Sequence, residues 1–338
     1  MAVLPRDIGI DLGSSNIRVF VRGRGIVLDE PSVIAINKVT SEVLAIGEKA
    51  KEMIGKTPDN IIAVRPIQNG VVADYEAAKL LIENAIEKSI GKSFFNKPRV
   101  IVATPYMIND VELKALEEVV YRAGAKAVYV IEQAIAASMG ASLEIARPEG
   151  SMIIDIGSGT TEIAVISLGS IVVARSINIA GNRFDKDIVD YIKENKEAVI
   201  SLSDSESIKK DIASIYSSIS DDSAILKGRN LNTGLPEDIK VVSKDIQSAI
   251  SDSVSQIMRN IKDVLEDTIP ELASDIIENG IVLTGGSSAI KNLDRFISAK
   301  LGIPVHIAEN PGDATIRGIG ASLENIDLLK KALKIRKK

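Results

Sequence analysis

The sequence predicts an α/β protein of two lobes, each a mixed sheet with helices and a smaller inserted subdomain. Strand, turn and helix patterns alternate along most of the 338 residues. One stretch also occurs twice, as IGIDLGSSNIRVFV at residues 8–21 and MIIDIGSGTTEIAV at residues 152–165. The offset of 144 residues, from 8 to 152, is the size of a domain, so the repeat predicts two related lobes.

Each copy of the repeat places an acid at the end of a predicted strand and a turn behind it. Asp11 precedes the turn Gly13–Asn16, and Asp155 precedes the turn Gly157–Thr161. Glycine lets the backbone turn tightly and approach a ligand, and exposed amides suit phosphate oxygens. A neighbouring carboxylate suits magnesium, directly or through water. An ordinary hairpin explains one copy alone, but two copies predict a phosphate held by both lobes.

The first lobe opens as a β-meander and continues with alternating strands and helices. Its expected strands are residues 8–12, 17–22, 26–28, 32–36, 100–103 and 127–131, and its expected helices are residues 48–54, 74–90, 111–123 and 134–143. Residues 37–64 are more polar and predict a small inserted subdomain.

The second lobe begins with the hairpin of residues 151–166. Further strands are expected at residues 171–179, 281–283 and 303–307, and helices at residues 184–193, 243–269, 289 onward and 314–323. Residues 194–240 are rich in Ser, Asp and turn residues, which predicts a second inserted subdomain with mobile loops. Thr284–Ser288 forms a glycine turn before a helix, either a third nucleotide contact or a plain strand–helix turn.

The composition excludes several classes of function. Apolar residues make up 45% and charged residues 26%, as in soluble globular proteins, and the net charge of −5 gives no reason to expect nucleic-acid binding. Cysteine is absent and His306 is the single histidine, which argues against zinc sites and a Ser-His-Asp hydrolase. No secretory signal and no apolar run near about 20 residues is present, so a cytoplasmic location with peripheral membrane contact is expected.

Five motifs follow one another along the chain. They are DLG-x-x-N at Asp11, RP-x-x-x-GV-x-AD at Arg65, IE-x-x-x-AA at Ile131, DIG-x-GTTE at Asp155 and VLTGG at Val282. In this order they resemble the ATPase superfamily of actin, heat-shock chaperones and sugar kinases, and within it the MreB family of bacterial actins. The resemblance extends from about Asp7 to Leu329 and is weakest across residues 194–240.

The resemblance implies a two-lobed actin-like ATPase fold that binds ATP or ADP with Mg²⁺ between its lobes. The implied subdomains are IA (residues 1–31, 65–143 and 316–338), IB (32–64), IIA (144–181 and 241–315) and IIB (182–240).

The same resemblance implies roles for individual residues. Asp11 and Asp155 hold magnesium through water, and the catalytic set is Asp11, Gln133, Asp155 and Thr161. The expected nucleotide contacts are Gly13, Ser14, Ser15, Asn16, Gly157, Ser158, Gly159, Thr160, Thr161, Gly181, Glu206, Lys209, Gly285, Gly286 and Ser287. Of these, Glu206 and Lys209 are expected at the ribose and base.

One catalytic position departs from the family. MreB proteins usually have Glu-Pro where this chain has Gln133 and Ala134. The glutamate orients, and in one view deprotonates, the attacking water, whereas glutamine can orient water but is no base. The chain is therefore expected to be a slow ATPase. Glu132 is the alternative candidate at this site.

Two features suit an anionic membrane surface. Phe94 and Phe95 fall where MreB proteins carry a hydrophobic insertion loop, and packing of both rings in the core is the alternative. The C-terminal tail is basic, and a solvated charged end is its alternative. Its cations include Lys330, Lys331, Lys334, Arg336, Lys337 and Lys338. The loop and tail are expected to replace the N-terminal amphipathic helix of many MreB proteins.

The resemblance also implies the partners. They are the chain itself, in paired antiparallel protofilaments, other MreB paralogues, and the inner face of the cell membrane, but no nucleic acid. The filaments are expected to support cell shape or motility. A chaperone-like or sugar-kinase-like ATPase that does not polymerise is the alternative.

Overall fold

The computed structural model describes residues 7–91, 97–215 and 222–324. The chain forms two compact units, one of Met1–Ile145 with Asp313–Lys338 and one of Ala146–Gly312. The predicted boundaries of the four subdomains stay a prediction. Phe94, Phe95 and the basic tail lie outside the described residues.

The elements of unit 1 follow the predicted alternation of strands and helices. In chain order they are β1 (Ile8–Leu12), β2 (Asn16–Val21), β3 (Gly25–Pro31), β4 (Ile34–Asn37), β5 (Val43–Ile46), α1 (Glu48–Lys51), β6 (Ile61–Val64), β7 (Ile67–Gln68), β8 (Val71–Val72), α2 (Tyr75–Ile90), β9 (Arg99–Thr104), α3 (Asp110–Arg122), β10 (Ala127–Glu132) and α4 (Gln133–Gly140).

Unit 2 is formed by one continuous segment of the chain, Ala146–Gly312. Its elements are β11 (Ser151–Ile156), β12 (Thr161–Ser167), β13 (Ser170–Ile177), α5 (Gly181–Asn195), β14 (Ala198–Val199), α6 (Leu202–Ile212), β15 (Ser223–Asn230), β16 (Pro236–Val242), α7 (Ser243–Glu266), α8 (Pro270–Asn279), β17 (Ile281–Thr284), α9 (Leu293–Leu301) and β18 (Val305–Ile307). The chain then returns to unit 1 as α10 (Ala314–Glu324).

The main sheets of the two units have the same topology. Within the described residues, the sheet of unit 1 has the order β10-β9-β1-β2-β3 and that of unit 2 the order β18-β17-β11-β12-β13. In each, three antiparallel strands of a meander are extended by two parallel strands. The repeat in the sequence is therefore a repeat of the fold, as predicted.

Helices cover both faces of the unit 1 sheet, and successive side chains of its strands point to opposite faces. Ile8 and Ile10 of β1 are fully buried in a core shared with Leu81 of α2 and Val119 of α3. Gly9 points the other way, and a Cβ there would lie 2.3 Å from Cγ2 of Ile319 in α10. A strand whose two faces are both covered is predominantly apolar, which is the pattern of IGIDL.

The described part of residues 194–240 is more regular than its composition predicts. Ser201 is the N-cap of α6, and its hydroxyl accepts a hydrogen bond from the Asp204 amide at 3.1 Å. Ser and Asp are favoured at helix starts as well as in loops, so the described part of this segment contains a helix and strands that its composition alone did not predict. β15 and β16 pair as a hairpin whose Ile239 and Val241 are buried in the core of unit 2.

Several helix boundaries also differ from the expectations. The helix expected at residues 243–269 ends at Glu266, and Pro270 begins the separate helix α8, since proline is tolerated in the first turn of a helix. The helix expected from residue 289 starts at Leu293, after a short 3₁₀ turn at Gly286–Ala289. α4 ends at Gly140 instead of residue 143, and α5 begins at Gly181 instead of residue 184. Among the described helices, none combines the length and apolar character that a bilayer crossing requires.

In unit 1, α4 and α10 cross with their backbones in contact. A Cβ on Gly140 would lie 1.7 Å from the carbonyl oxygen of Ala314, and a Cβ on Gly318 would lie 1.7 Å from that of Ala136. Backbone atoms cannot turn aside as side chains do. The two glycines therefore fix the distance between these helices, and with it the position of Gln133 at the start of α4.

The crossing predicts a large cost for one added methyl group. Gly318→Ala should lower the free energy of unfolding by about 3 kcal/mol or more, because the helices must separate to admit it. Urea denaturation of the full chain measures this loss. Gly312→Ala is the control, since its Cβ would meet nothing nearer than 3.9 Å, and should change stability by less than about 0.5 kcal/mol. Equal losses in the two variants would contradict the prediction.

Candidate functional site

The two repeated turns are closed by the same hydrogen bond. The amide of Gly13 donates to the carbonyl of Asn16 at 3.1 Å, and the amide of Gly157 donates to the carbonyl of Thr160 at 3.0 Å. A Cβ on Gly13 would lie 2.8 Å from the Asn16 oxygen that accepts this bond. The closing bond uses the first amide of each turn. The amides left for a phosphate are those of the two following residues, 14 and 15 or 158 and 159.

The first turn is held by residues distant in sequence. The Ser32 hydroxyl donates to the carbonyl of Gly13 at 2.7 Å, and its amide donates to the carbonyl of Ser15 at 2.8 Å. Nη1 of Arg65 donates to the carbonyl of Ser14 at 3.4 Å, and the amide of Gly70 donates to the hydroxyl of Ser14 at 3.3 Å. Arg65 and Gly70 belong to the second of the five motifs, but their sequence pattern predicted no role in the site. The structure makes them supports of the first turn.

The second turn is held in the same manner by predicted site residues. The carbonyl of Gly157 accepts from the Ser287 hydroxyl at 2.7 Å and from the Gly181 amide at 3.2 Å. The amide of Asn182 donates to the carbonyl of Ser158 at 2.8 Å. A Cβ on Gly181 would lie 2.6 Å from Oγ of Ser287, so these two residues meet at the turn.

Gly285 lies against the carboxylate at the end of β11. Its φ is +88° and its ψ is 156°, a conformation almost confined to glycine. A Cβ there would lie 2.4 Å from Oδ1 of Asp155 and 2.3 Å from the carbonyl oxygen of Ile156. The first glycine of VLTGG is therefore required by the close approach of β17 to Asp155. Gly286 follows it as the first residue of the 3₁₀ turn.

The lysine expected at the ribose and base is buried beside the second turn. Nζ of Lys209 lies 2.6 Å from Oδ1 of Asp185 and donates to the carbonyl of Gly181 at 2.9 Å. Burial raises the pKa of the Asp185 carboxyl, and the charge of Lys209 opposes that shift. Glu206, one helical turn before Lys210, accepts from its Nζ at 2.6 Å.

Three of the predicted catalytic residues differ in burial and in position, namely Thr161, Gln133 and Asp11. Thr161 is fully buried, and its hydroxyl donates to the carbonyl of Ile179 at 2.6 Å. Gln133 is half-buried as the first residue of α4, immediately after the exposed Glu132. Asp11 and Gln133 both lie near the carboxyl ends of the parallel strands β1 and β10, the edge where α/β sheets bind ligands.

Comparisons with known proteins place these features in a family. The family model of the MreB/Mbl protein matches residues 5–331. The cell shape-determining protein Mbl of Bacillus subtilis is 44% identical over 326 residues, which are 96% of this chain and 98% of Mbl. The cell shape-determining protein MreB of Escherichia coli K12 is 41% identical over 327 residues, 95% of this chain and 94% of MreB.

Solved structures agree with the sequence relatives. The crystal structure of MreB5 of Spiroplasma citri bound to ADP has a TM-score of 0.92 and 36% identity, covering 97% of this chain and 99% of MreB5. The AMPPNP-bound structure of the same protein has a TM-score of 0.93 with the same identity and coverage.

The contact between Gly285 and Asp155 predicts a specific sensitivity. Gly285→Ala should lower the free energy of unfolding by about 3 kcal/mol or more, because it combines a φ near +88° with a clash against a carboxylate. Gly302→Ala is the matched control, since Gly302 also has a positive φ but its Cβ would meet nothing within 4 Å. That variant should lose about 1 kcal/mol. Urea denaturation compares the two, and equal losses would remove the close approach from the explanation.

Proposed function

The chain belongs to the MreB/Mbl family, and from that premise we propose that it is a bacterial actin. It binds ATP with Mg²⁺, hydrolyses it slowly, and assembles into membrane-associated filaments that support cell shape or motility. The observation that carries the proposal is a pair of turns, each closed by the same kind of backbone hydrogen bond. An aspartate precedes each turn, and each turn is held by its own set of hydrogen bonds. The nucleotide complexes of MreB5 support the choice of adenine nucleotide as ligand.

The turns supply the phosphate contacts in this proposal. Backbone amides of Ser14 and Ser15 in one turn, and of Ser158 and Gly159 in the other, donate to phosphate oxygens. Since backbone amides fixed by surrounding hydrogen bonds do not reorganise when charge develops, they suit the transfer of a phosphoryl group. Gly181, Ser287 and Lys209 line the second turn, and we assign the adenosine to their side of unit 2.

The donor set fits magnesium. Asp11 and Asp155 present carboxylate oxygens next to the two turns, and Mg²⁺ prefers one or two carboxylates together with phosphate oxygens and water. We propose that these two residues hold the ion through water. When bound, it neutralises charge on the phosphate oxygens.

The slow rate follows from Gln133. Its amide can accept from a water molecule and donate to another group, so it can orient the water that attacks the terminal phosphate, but it cannot take up the proton. The position of the side chain depends on α4, whose crossing with α10 is fixed by Gly140 and Gly318. We propose that hydrolysis in this chain relies on orientation of the water and on electrostatic stabilisation by the turns.

Substitution of Gln133 tests this assignment. Gln133→Ala should reduce phosphate release about tenfold, the effect of losing one orienting hydrogen bond worth about 1.4 kcal/mol in the transition state. Gln133→Glu should raise the rate, because a carboxylate adds a general base. Release of inorganic phosphate at saturating MgATP measures both.

Glu132→Gln is the control for the neighbouring acid. Because Glu132 is exposed, this variant should retain the native rate. A Gln133→Ala rate equal to that of the native chain would exclude the role given to Gln133. A larger loss in Glu132→Gln would transfer the role to Glu132.

Assembly and membrane association are tested together by sedimentation. The native chain should pellet above a threshold concentration with ATP and Mg²⁺, and more protein should pellet when anionic vesicles are added. Deleting residues 330–338 should reduce the vesicle-dependent part severalfold, since each basic residue near anionic lipid contributes about 1 kcal/mol. Phe94→Ser with Phe95→Ser tests the loop in the same assay.

Neutral vesicles are the control for the charge of the tail. Unchanged pelleting of the truncated chain on anionic vesicles would remove the tail from the proposal. Nucleotide hydrolysis without any concentration-dependent assembly would contradict the filament and favour a non-polymerising ATPase of the same superfamily.

A further inference from the structure

A row of three charged side chains crosses the sheet of unit 1 beside the first turn. Asp11 of β1 is the register partner of Arg18 in β2, and Arg18 is the register partner of Asp29 in β3. Directly opposed residues on neighbouring strands share a face of the sheet. The row therefore reads acid, base, acid, with the arginine between two carboxylates.

The contacts extend the row to a fourth residue. Nη1 of Arg18 lies 3.5 Å from Oδ2 of Asp11, and its Nε lies 3.1 Å from Oδ2 of Asp29 and 3.7 Å from Oδ1 of Asp313. Burial acts to lower the pKa of the Arg18 guanidinium, but the three carboxylates outweigh it and raise that pKa. Nδ2 of Asn16 also donates to Oδ1 of Asp29 at 2.6 Å, which ties the row to the end of the first turn.

The second copy of the repeat has the opposite charge at the same place. Glu162 corresponds to Arg18 under the offset of 144 residues, and it is the register partner of Asp155. Glu162 is fully buried and accepts from the Ser176 hydroxyl at 2.6 Å. The two aspartates proposed to hold magnesium thus differ. Asp11 faces a cation, and Asp155 faces a second acid.

Because of this difference, Asp11 has a cationic neighbour in Arg18 even when no metal ion is bound. Magnesium and the Arg18 guanidinium are both cations directed at the same carboxylate. When metal is absent, the guanidinium still offsets part of the charge of Asp11, Asp29 and Asp313. Without it, three carboxylates beside the turn would repel a metal-free nucleotide.

We propose that Arg18 is a positioning residue that holds Asp11 when magnesium is not bound, and that it thereby lowers the dependence of nucleotide binding on magnesium. The inference rests on the proposed nucleotide binding. Removal of the Arg18 charge weakens binding of the metal-free nucleotide more than binding of the magnesium complex, because the ion itself neutralises part of the phosphate charge.

The measurement is the dissociation constant of AMPPNP by calorimetry, once with excess Mg²⁺ and once with EDTA. The ratio of the EDTA value to the Mg²⁺ value reports magnesium dependence. In Arg18→Gln the ratio should be about ten times that of the native chain, equivalent to about 1.4 kcal/mol. Arg18→Lys keeps the charge and should stay within about twofold of the native ratio.

Arg22→Gln is the matched control. It removes the same charge just beyond β2, where Arg22 pairs with Asp7 and Glu324 instead of the row, and its ratio should equal the native one. Asp29→Asn keeps Arg18 and removes one acid, so the ratio should fall about threefold. This variant tests the inference even where Arg18→Gln does not fold.

The outcomes separate the inference from the proposed function. A native chain that binds AMPPNP in neither condition overturns the proposed function. Native binding with equal ratios in Arg18→Gln and Arg22→Gln overturns the role of Arg18 alone. A rise of the ratio in Asp29→Asn would also overturn it, because the charge argument then has the wrong sign.

Discussion

A single backbone hydrogen bond, from the glycine amide that opens a four-residue turn to the carbonyl that closes it, is the constraint around which both units are built. It occurs at Gly13 and again at Gly157. In unit 1 the turn is supported by Ser32, Arg65 and Gly70 from later strands and loops. In unit 2 the support comes from other elements, a helix start and a 3₁₀ turn. The repeated motif is thus conserved in geometry and supported by unrelated contacts.

What the sequence could predict was mostly local. The hairpins, the parallel strands and the repeat follow from apolar periodicity and glycine turns, and the structure confirms them. The supports of the first turn could not be assigned, since Arg65 and Gly70 lie about fifty residues from Ser14 and only tertiary folding joins them. The helix α6 could not be predicted within residues 194–240, because Ser and Asp occur both in loops and at helix starts such as Ser201.

The difference between the two copies required the strand register. Aligning the repeats matched Asp11 with Asp155 and the glycines with each other, which favoured equivalent roles. The alignment alone did not show that residues 18 and 162 stand opposite those aspartates on a neighbouring strand. Once the register is known, the copies have the same backbone and opposite charge at one position. The two turns share one geometry, whereas the side chains opposite their aspartates differ in charge.

Helix α10 connects the two chemical features of unit 1. Asp313, which contacts Arg18, immediately precedes α10, and Gly318 within it sets the distance to α4, the helix that begins with Gln133. The contact at Gly318 is between backbones, so it cannot be relaxed by a change of rotamer. Any displacement of α10 therefore changes both the charged row at Asp11 and the position of Gln133. Asp313, which contacts Arg18, and Gln133, at the start of α4, are therefore linked structurally through a single helix.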